Sequence, residues 1–209
     1  MPPPPPEEAP KKACGGSRRE AQRAETTAKL IRAARTMFRE HGYAGTSMDH
    51  LCANAGLTRG ALYHYFGGKE GLLLAVVRQI SEEMGAELDA LCAGGENAWV
   101  GFRAACRRYL EMSLEPEVRQ IVLQDAPGVL GARLRELDLE AVEAIQGALK
   151  DVMDEGFIPK QDPEPLARLL DGATNELAMW IAASDTPEQE LDRAWASLSA
   201  VLDGLEVKV

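Results

Sequence analysis

No stretch of this chain approaches the ~18 consecutive apolar residues that a membrane-spanning helix needs. Its longest apolar block, LLLAVV at 72–77, is flanked by charge. The opening MPPPPPEEAPKK has no apolar core, so it does not read as a secretory signal, and the expected location is cytoplasmic. The four cysteines, Cys14, Cys52, Cys92 and Cys106, form no C-x-x-C pair and join no Cys/His cluster. That spacing argues against a zinc site and leaves them as free thiols, with Cys52 and Cys106 on apolar helix faces. There is no Glu-x-x-His pair, no Gly-rich phosphate loop and no nucleophile elbow. Enzyme chemistry is therefore disfavoured, and no cofactor or metal is expected. Strand-like alternation and internal repeats are also missing, which leaves an all-α chain. A hydrophobic content of 45% over 209 residues is ordinary for a soluble globular protein of one medium domain or two small ones.

What the chain does have is an uneven distribution of charge. The net charge is −10, yet residues 11–69 hold 11 Lys+Arg against 4 Asp+Glu, a net of +7. Residues 70–209 hold 12 against 27, a net of −15, and Glu7 and Glu8 supply the rest. A basic head on an acidic body concentrates phosphate attraction in the head and repels the body from a duplex.

The most informative segment is TSMDHLCANAGLTRGALYHYFGGKE, Thr46–Glu70. Thr46 and Asp49 have the spacing of a capping box. Met48, Leu51, Cys52 and Ala55 then fall on one helical face. Gly56 suits the positive φ that ends a helix, and Thr58 suits the cap of the next. Helix, short Gly-containing turn and second helix is the helix-turn-helix pattern. The second helix offers Thr58, Arg59, Gly60, Ala61, Tyr63, His64 and Tyr65, a set suited to a DNA groove. Phe38, Leu51, Leu57, Leu62 and Phe66 are the expected mini-core. Tyr65 is open between DNA contact and packing.

Thr26 to about Leu74, including AARTMFREHGYAGTSMDHLCANAGLTRGALYHYFGGKEGLL, resembles the TetR (tetracycline-repressor-like) family of bacterial transcriptional regulators. The likeness lies in the Phe and Gly-Tyr of the first helix and its exit, the threonine opening the second helix, the Ala-Gly-Leu turn and the Leu-Tyr-x-Tyr-Phe-x-x-Lys-Glu run. Apolar periodicity along the chain gives an all-α fold of about nine helices, and the resemblance implies a three-helix head, a long fourth helix, and a helical ligand-binding and dimerisation body. The resemblance also implies that the positions at Thr46, Thr58, Lys69 and those along the second motif helix touch DNA. Carried over, Arg59 is the best base reader, Gly60 permits close backbone approach, Tyr63 and His64 donate to phosphates, and Lys69 adds charge at the start of the next helix. The body is implied to take a small-molecule inducer.

Three regions are expected along the chain. Residues 1–24 read as a disordered Pro-rich and basic tail, whose Lys11, Lys12, Arg18, Arg19 and Arg23 either follow DNA or are merely solvated. Residues 25–70 form the DNA-binding head, with a first helix from about Thr26 to His41 ended by Gly42. Residues 71–209 form the body, with Asp125–Gly128 read as a break and possible joint, and Glu155 as the end of the helix that follows it.

Trp99, Phe102, Tyr109, Met112, Phe157, Met179 and Trp180, with the polar Asn175 and Glu176, are the candidate lining of a pocket for a small, largely apolar effector. Core or dimer interface is the competing assignment for each of them. The apolar stripes of residues 162–207, Leu177 and Leu198 among them, suit a homodimer with two helices from each subunit. The expected partner is double-stranded operator DNA, with no membrane. Two alternatives share parts of the pattern: a DNA-binding architectural protein without a ligand, and a helical-bundle enzyme.

Overall fold

The computed structural model describes the backbone of residues 15–207 and the side chains of residues 21–207. The tail expectation for residues 1–14 lies outside that range. Nine α-helices make up the described part: α1 (Gly15–Gly45), α2 (Met48–Ala55), α3 (Arg59–Phe66), α4 (Lys69–Gly94), α5 (Ala98–Met112), α6 (Ala126–Leu130), α7 (Arg135–Asp154), α8 (Pro163–Ala183) and α9 (Pro187–Leu205). A π-helical segment, Val118–Asp125, runs straight into α6, and a 3₁₀ turn, Gly131–Leu134, joins α6 to α7.

Two boundaries differ from expectation. α1 starts at Gly15, ahead of Thr26, so residues 15–24 are helical rather than disordered. The reason is local: SRREAQRAE is built from good helix formers, and it continues into an amphipathic segment that packing holds in place. The backbone of α1 breaks where glycine allows it, at Gly42 with φ of +68°. Asp125–Gly128 is not a break. Pro127 falls in the first turn of α6, where its missing N–H is not needed, so the chain stays helical through it. The real interruption is Gly131, with φ of +49°.

Two apolar cores organise the chain. The first joins α1, α2, α3, the first half of α4 and the segment around α6, with Leu30, Phe38, Leu51, Leu62, Leu72, Leu73 and Ile121 fully buried. Phe38, Leu51 and Leu62 of the expected mini-core are central to it, and Leu57 and Phe66 pack against its edge. The second joins α5, α7, α8 and α9 around Trp99, Phe102, Leu149, Leu170, Ile181, Leu198 and Leu202. Short helices such as α2 and α3 persist only because this packing supplies what their length cannot.

Polar contacts tie head to body. The Arg35 guanidinium on α1 forks between Glu83 of α4, at 2.6 Å, and Glu117 of the chain entering the π-helical segment, at 2.5 Å. The Tyr43 N–H, just past the Gly42 break, donates to the Asp125 carboxylate at 2.7 Å, and the Gln120 amide donates to the same oxygen at 3.1 Å. Burial pushes the Cys106 thiol up to about 12, so it is an inert core group rather than a reactive one.

Candidate nucleic-acid interface

All four helix ends of the motif are capped, the last by Gly67, which is left-handed at φ +72° and donates its N–H to the Tyr63 carbonyl. The Ser47 hydroxyl accepts from the His50 N–H and caps α2. Gly56 takes a left-handed conformation, φ +65°, and the Leu57 N–H returns to the Cys52 carbonyl at 2.9 Å. Thr58 caps α3 through the Ala61 N–H at 3.2 Å. With Leu62 locked into the core, α3 presents Arg59, Gly60, Tyr63 and His64 to solvent, with Ala61 and Tyr65 half-buried. Tyr65 lies edge-on to His64 and beneath the Arg23 guanidinium, so its ring is engaged in packing.

Two expected site residues do not face outward. Thr46 is buried, with its hydroxyl 2.8 Å from the Gly42 carbonyl and 3.2 Å from that of Met37, and it is not the α2 cap. Its side chain is withdrawn from the outward-facing set, because its hydroxyl donates to backbone carbonyls on the inner side of the Gly42 break. Thr46→Val keeps the shape but removes that donor. We expect a loss of about 1–2 kcal/mol in denaturant unfolding; unchanged stability would show that these carbonyls have no need of it. Lys69 places its ammonium 4.2 Å from the centre of the Tyr43 ring. Burial lowers its pKa, and the nearby Asp125 carboxylate acts in the opposite sense. Lys69 therefore belongs as much to the head–body joint as to the open N-terminus of α4, where Gly68 supplies no side-chain cap.

Asp49 takes a partner that helical spacing does not indicate. It does not pair with Thr46 as a capping box. Its carboxylate accepts from Arg59 Nε at 2.6 Å and from Nη2 at 2.5 Å, across the turn between α2 and α3. The Arg59 guanidinium holds the Asp49 carboxyl below the usual range.

The candidate pocket residues separate. Trp99 and Phe102 stack on one another in the second core, and Met112 is buried in the first. Tyr109 and Asn175 do meet: the Tyr109 hydroxyl donates to the Asn175 side-chain oxygen, and the Asn175 amide donates to Asp171 at 3.2 Å. Phe157 packs at the margin of the second core, and Glu176 is exposed. Met179 and Trp180 lie on the outer face of α8, with the Arg193 guanidinium over the Trp180 ring, so they do not line the interior.

A basic helix-turn-helix head, packed through α4 onto an acidic helical body, defines a DNA-binding regulator. Residues 30–76 match the model of the bacterial regulatory proteins of the tetR family, and residues 99–205 match the tetracyclin repressor-like C-terminal domain. The chain belongs to the tetR family. A crystal structure of a TetR-family transcriptional regulator from Pectobacterium atrosepticum superposes with a TM-score of 0.85 and 47% identity, covering 90% of this chain and 97% of that one. The HTH-type transcriptional repressor AcnR of Corynebacterium glutamicum is 31% identical over 161 residues, 72% of this chain and 80% of the relative. The transposon Tn10 TetC protein of Escherichia coli is 26% identical over 153 residues, 70% and 75% of the two chains. No described helix is long and apolar enough to cross a membrane.

Proposed function

We propose that this regulator is a repressor that binds a palindromic operator as a homodimer and leaves it when a small, largely apolar effector enters the body. One observation carries the DNA-binding part. The inner face of α3 is fixed by the buried Leu62, while Arg59, Gly60, Tyr63 and His64 are left exposed to solvent. One such helix reads only a few base pairs, so two-fold pairing doubles the readout, with half-sites about one helical turn apart. The relative named as a repressor supports the direction of control.

The Tyr109–Asn175–Asp171 chain supports a ligand site, because it places oriented polar groups inside an apolar bundle. α4 begins at the DNA-facing motif and ends in the body, so a ligand preferring one setting of α4 shifts the population of the other. Coupling of about 1–3 kcal/mol is enough for such a switch.

The test is a fluorescence-anisotropy titration of the upstream region and of its single-base variants. Arg59→Ala is expected to relax base preference by about 1–3 kcal/mol at the position it reads. A wild-type protein that binds every duplex alike removes the reading. Candidate metabolites that occupy the body without changing operator affinity remove only its sensing part.

A further inference from the structure

Arg59 and Asp49 form a side-on pair in which the carboxylate takes the Nε and Nη2 edge of the guanidinium, at 2.6 and 2.5 Å. A guanidinium has five donors in a fixed plane, so the Nη1/Nη2 end remains free after that contact. That end is the one that matches guanine O6 and N7. Asp49 thus removes the freedom of the Arg59 side chain without occupying its reading edge.

The pair has no evident folding role. Both side chains are well exposed, 61% for Arg59 and 70% for Asp49, and exposed pairs contribute little to stability. Ser47, not Asp49, makes the α2 cap hydrogen bond. Asp49 is also the sole acidic residue between Thr46 and Lys69, in a head that is otherwise basic. Because it sits within hydrogen-bond distance of Arg59, any phosphate or base edge that Arg59 meets also meets its negative charge. A carboxylate in that place weakens the sequence-independent attraction that phosphates supply. Repulsion of this kind acts on every duplex alike, so discrimination comes from Arg59 being held where a guanine edge offsets it and other base edges do not.

We propose that Asp49 is a specificity-determining residue, which positions Arg59 to read a guanine edge and disfavours DNA that lacks that guanine. The proposal rests on the reading of α3 as the groove helix. Its test compares wild type, Asp49→Asn, Arg59→Ala and the double variant on the operator, on its single-base variants and on a scrambled duplex. Asp49→Asn is expected to bind the scrambled duplex several-fold more tightly, roughly 3- to 5-fold, because it removes one repulsive charge. The operator-to-scrambled ratio is expected to fall about 10-fold, with the loss concentrated at the base pair where Arg59→Ala also loses preference. In the Arg59→Ala background the same change is expected to leave the base preference within about twofold, since the two residues act as one unit. Asp49→Glu, which restores a carboxylate, is expected to recover more of the ratio than Asn does.

Equal tightening on operator and scrambled duplex would reduce Asp49 to a plain charge and overturn the positioning role. So would a loss spread over positions that Arg59 does not read, or no change at all. If wild type itself shows no sequence preference, the reading of α3 fails and this proposal with it. If wild type is selective and Asp49→Asn equally so, only the proposal fails.

Discussion

Gly71→Ala is expected to cost about 3 kcal/mol or more and to abolish operator binding, while the same change at Gly85 in the same helix is expected to stabilise the protein. A Cβ at Gly71 would lie 1.8 Å from the carbonyl oxygen of Phe66 and 3.0 Å from its carbonyl carbon. Those atoms are backbone, at the last residue of α3, and no rotamer change removes them. The chain passes from α3 to α4 through Gly67 and Gly68, both with positive φ, so the two helices meet almost at once. The added methyl must push α3 off α4, and α3 carries Arg59, Tyr63 and His64. The damage therefore falls on the interface as well as on stability. At Gly85 a Cβ meets nothing within 4 Å. There alanine removes only the entropy cost of glycine inside a helix, a gain of about 0.5–1 kcal/mol. Denaturant unfolding and operator titration of the two variants side by side check both signs. A Gly71→Ala protein with wild-type stability and affinity would show that this close approach does not set the position of α3.

Glycine was the most legible signal in the chain, because its reason is conformational and local. Gly42 and Gly56 end helices where the sequence placed those ends, and Thr58 caps α3 as its hydroxyl permits. The stripes of α8 and α9 were also readable: Leu166, Leu170 and Ile181 on one, and Ala194, Leu198 and Leu202 on the other, all turn inward. Periodicity reports the face of a helix, however, and not what covers it. Spacing alone therefore suggests Met179 and Trp180 for a pocket although α8 turns them outward, and Leu198 for a dimer seam although it fills the subunit core.

Adjacent residues with equal capping ability were another limit. Ser47 and Thr46 both suit an N-cap, and only the buried carbonyls of Met37 and Gly42 decide that Thr46 turns inward. Partners across a turn follow no periodic rule, which is why Asp49 was paired with Thr46 instead of Arg59. Asp125 was read within a helix break; its role is to receive the Tyr43 N–H from the far side of the joint. The π-helical winding before it leaves no mark in apolar spacing at all.

The second large effect concerns the outer face of α8 and α9. Leu169 is 63% exposed and Val201 53%, and Trp180 and Met179 are each more than a third exposed, on helices whose inner faces are already filled. Gly172 and Gly204 on the same two helices have open space beside them, which lets another backbone approach closely. An exposed apolar surface of this kind marks an interaction site, and on a two-fold axis each residue acts twice. The double variant Leu169→Glu, Val201→Glu is expected to be a folded monomer in sedimentation at micromolar concentration, because it buries unpaired charges at the seam while leaving the subunit core intact. With one half-site per molecule, its operator affinity is expected to fall at least about 100-fold, since the second head no longer adds its binding energy through linkage. Leu198→Glu is the necessary contrast. That side chain is 3% exposed inside the second core, so a charge there is expected to unfold the subunit rather than separate two folded ones. A double variant that remains a dimer would place the seam elsewhere. A wild-type protein that sediments as a folded monomer would remove the homodimer altogether, and the palindromic operator with it.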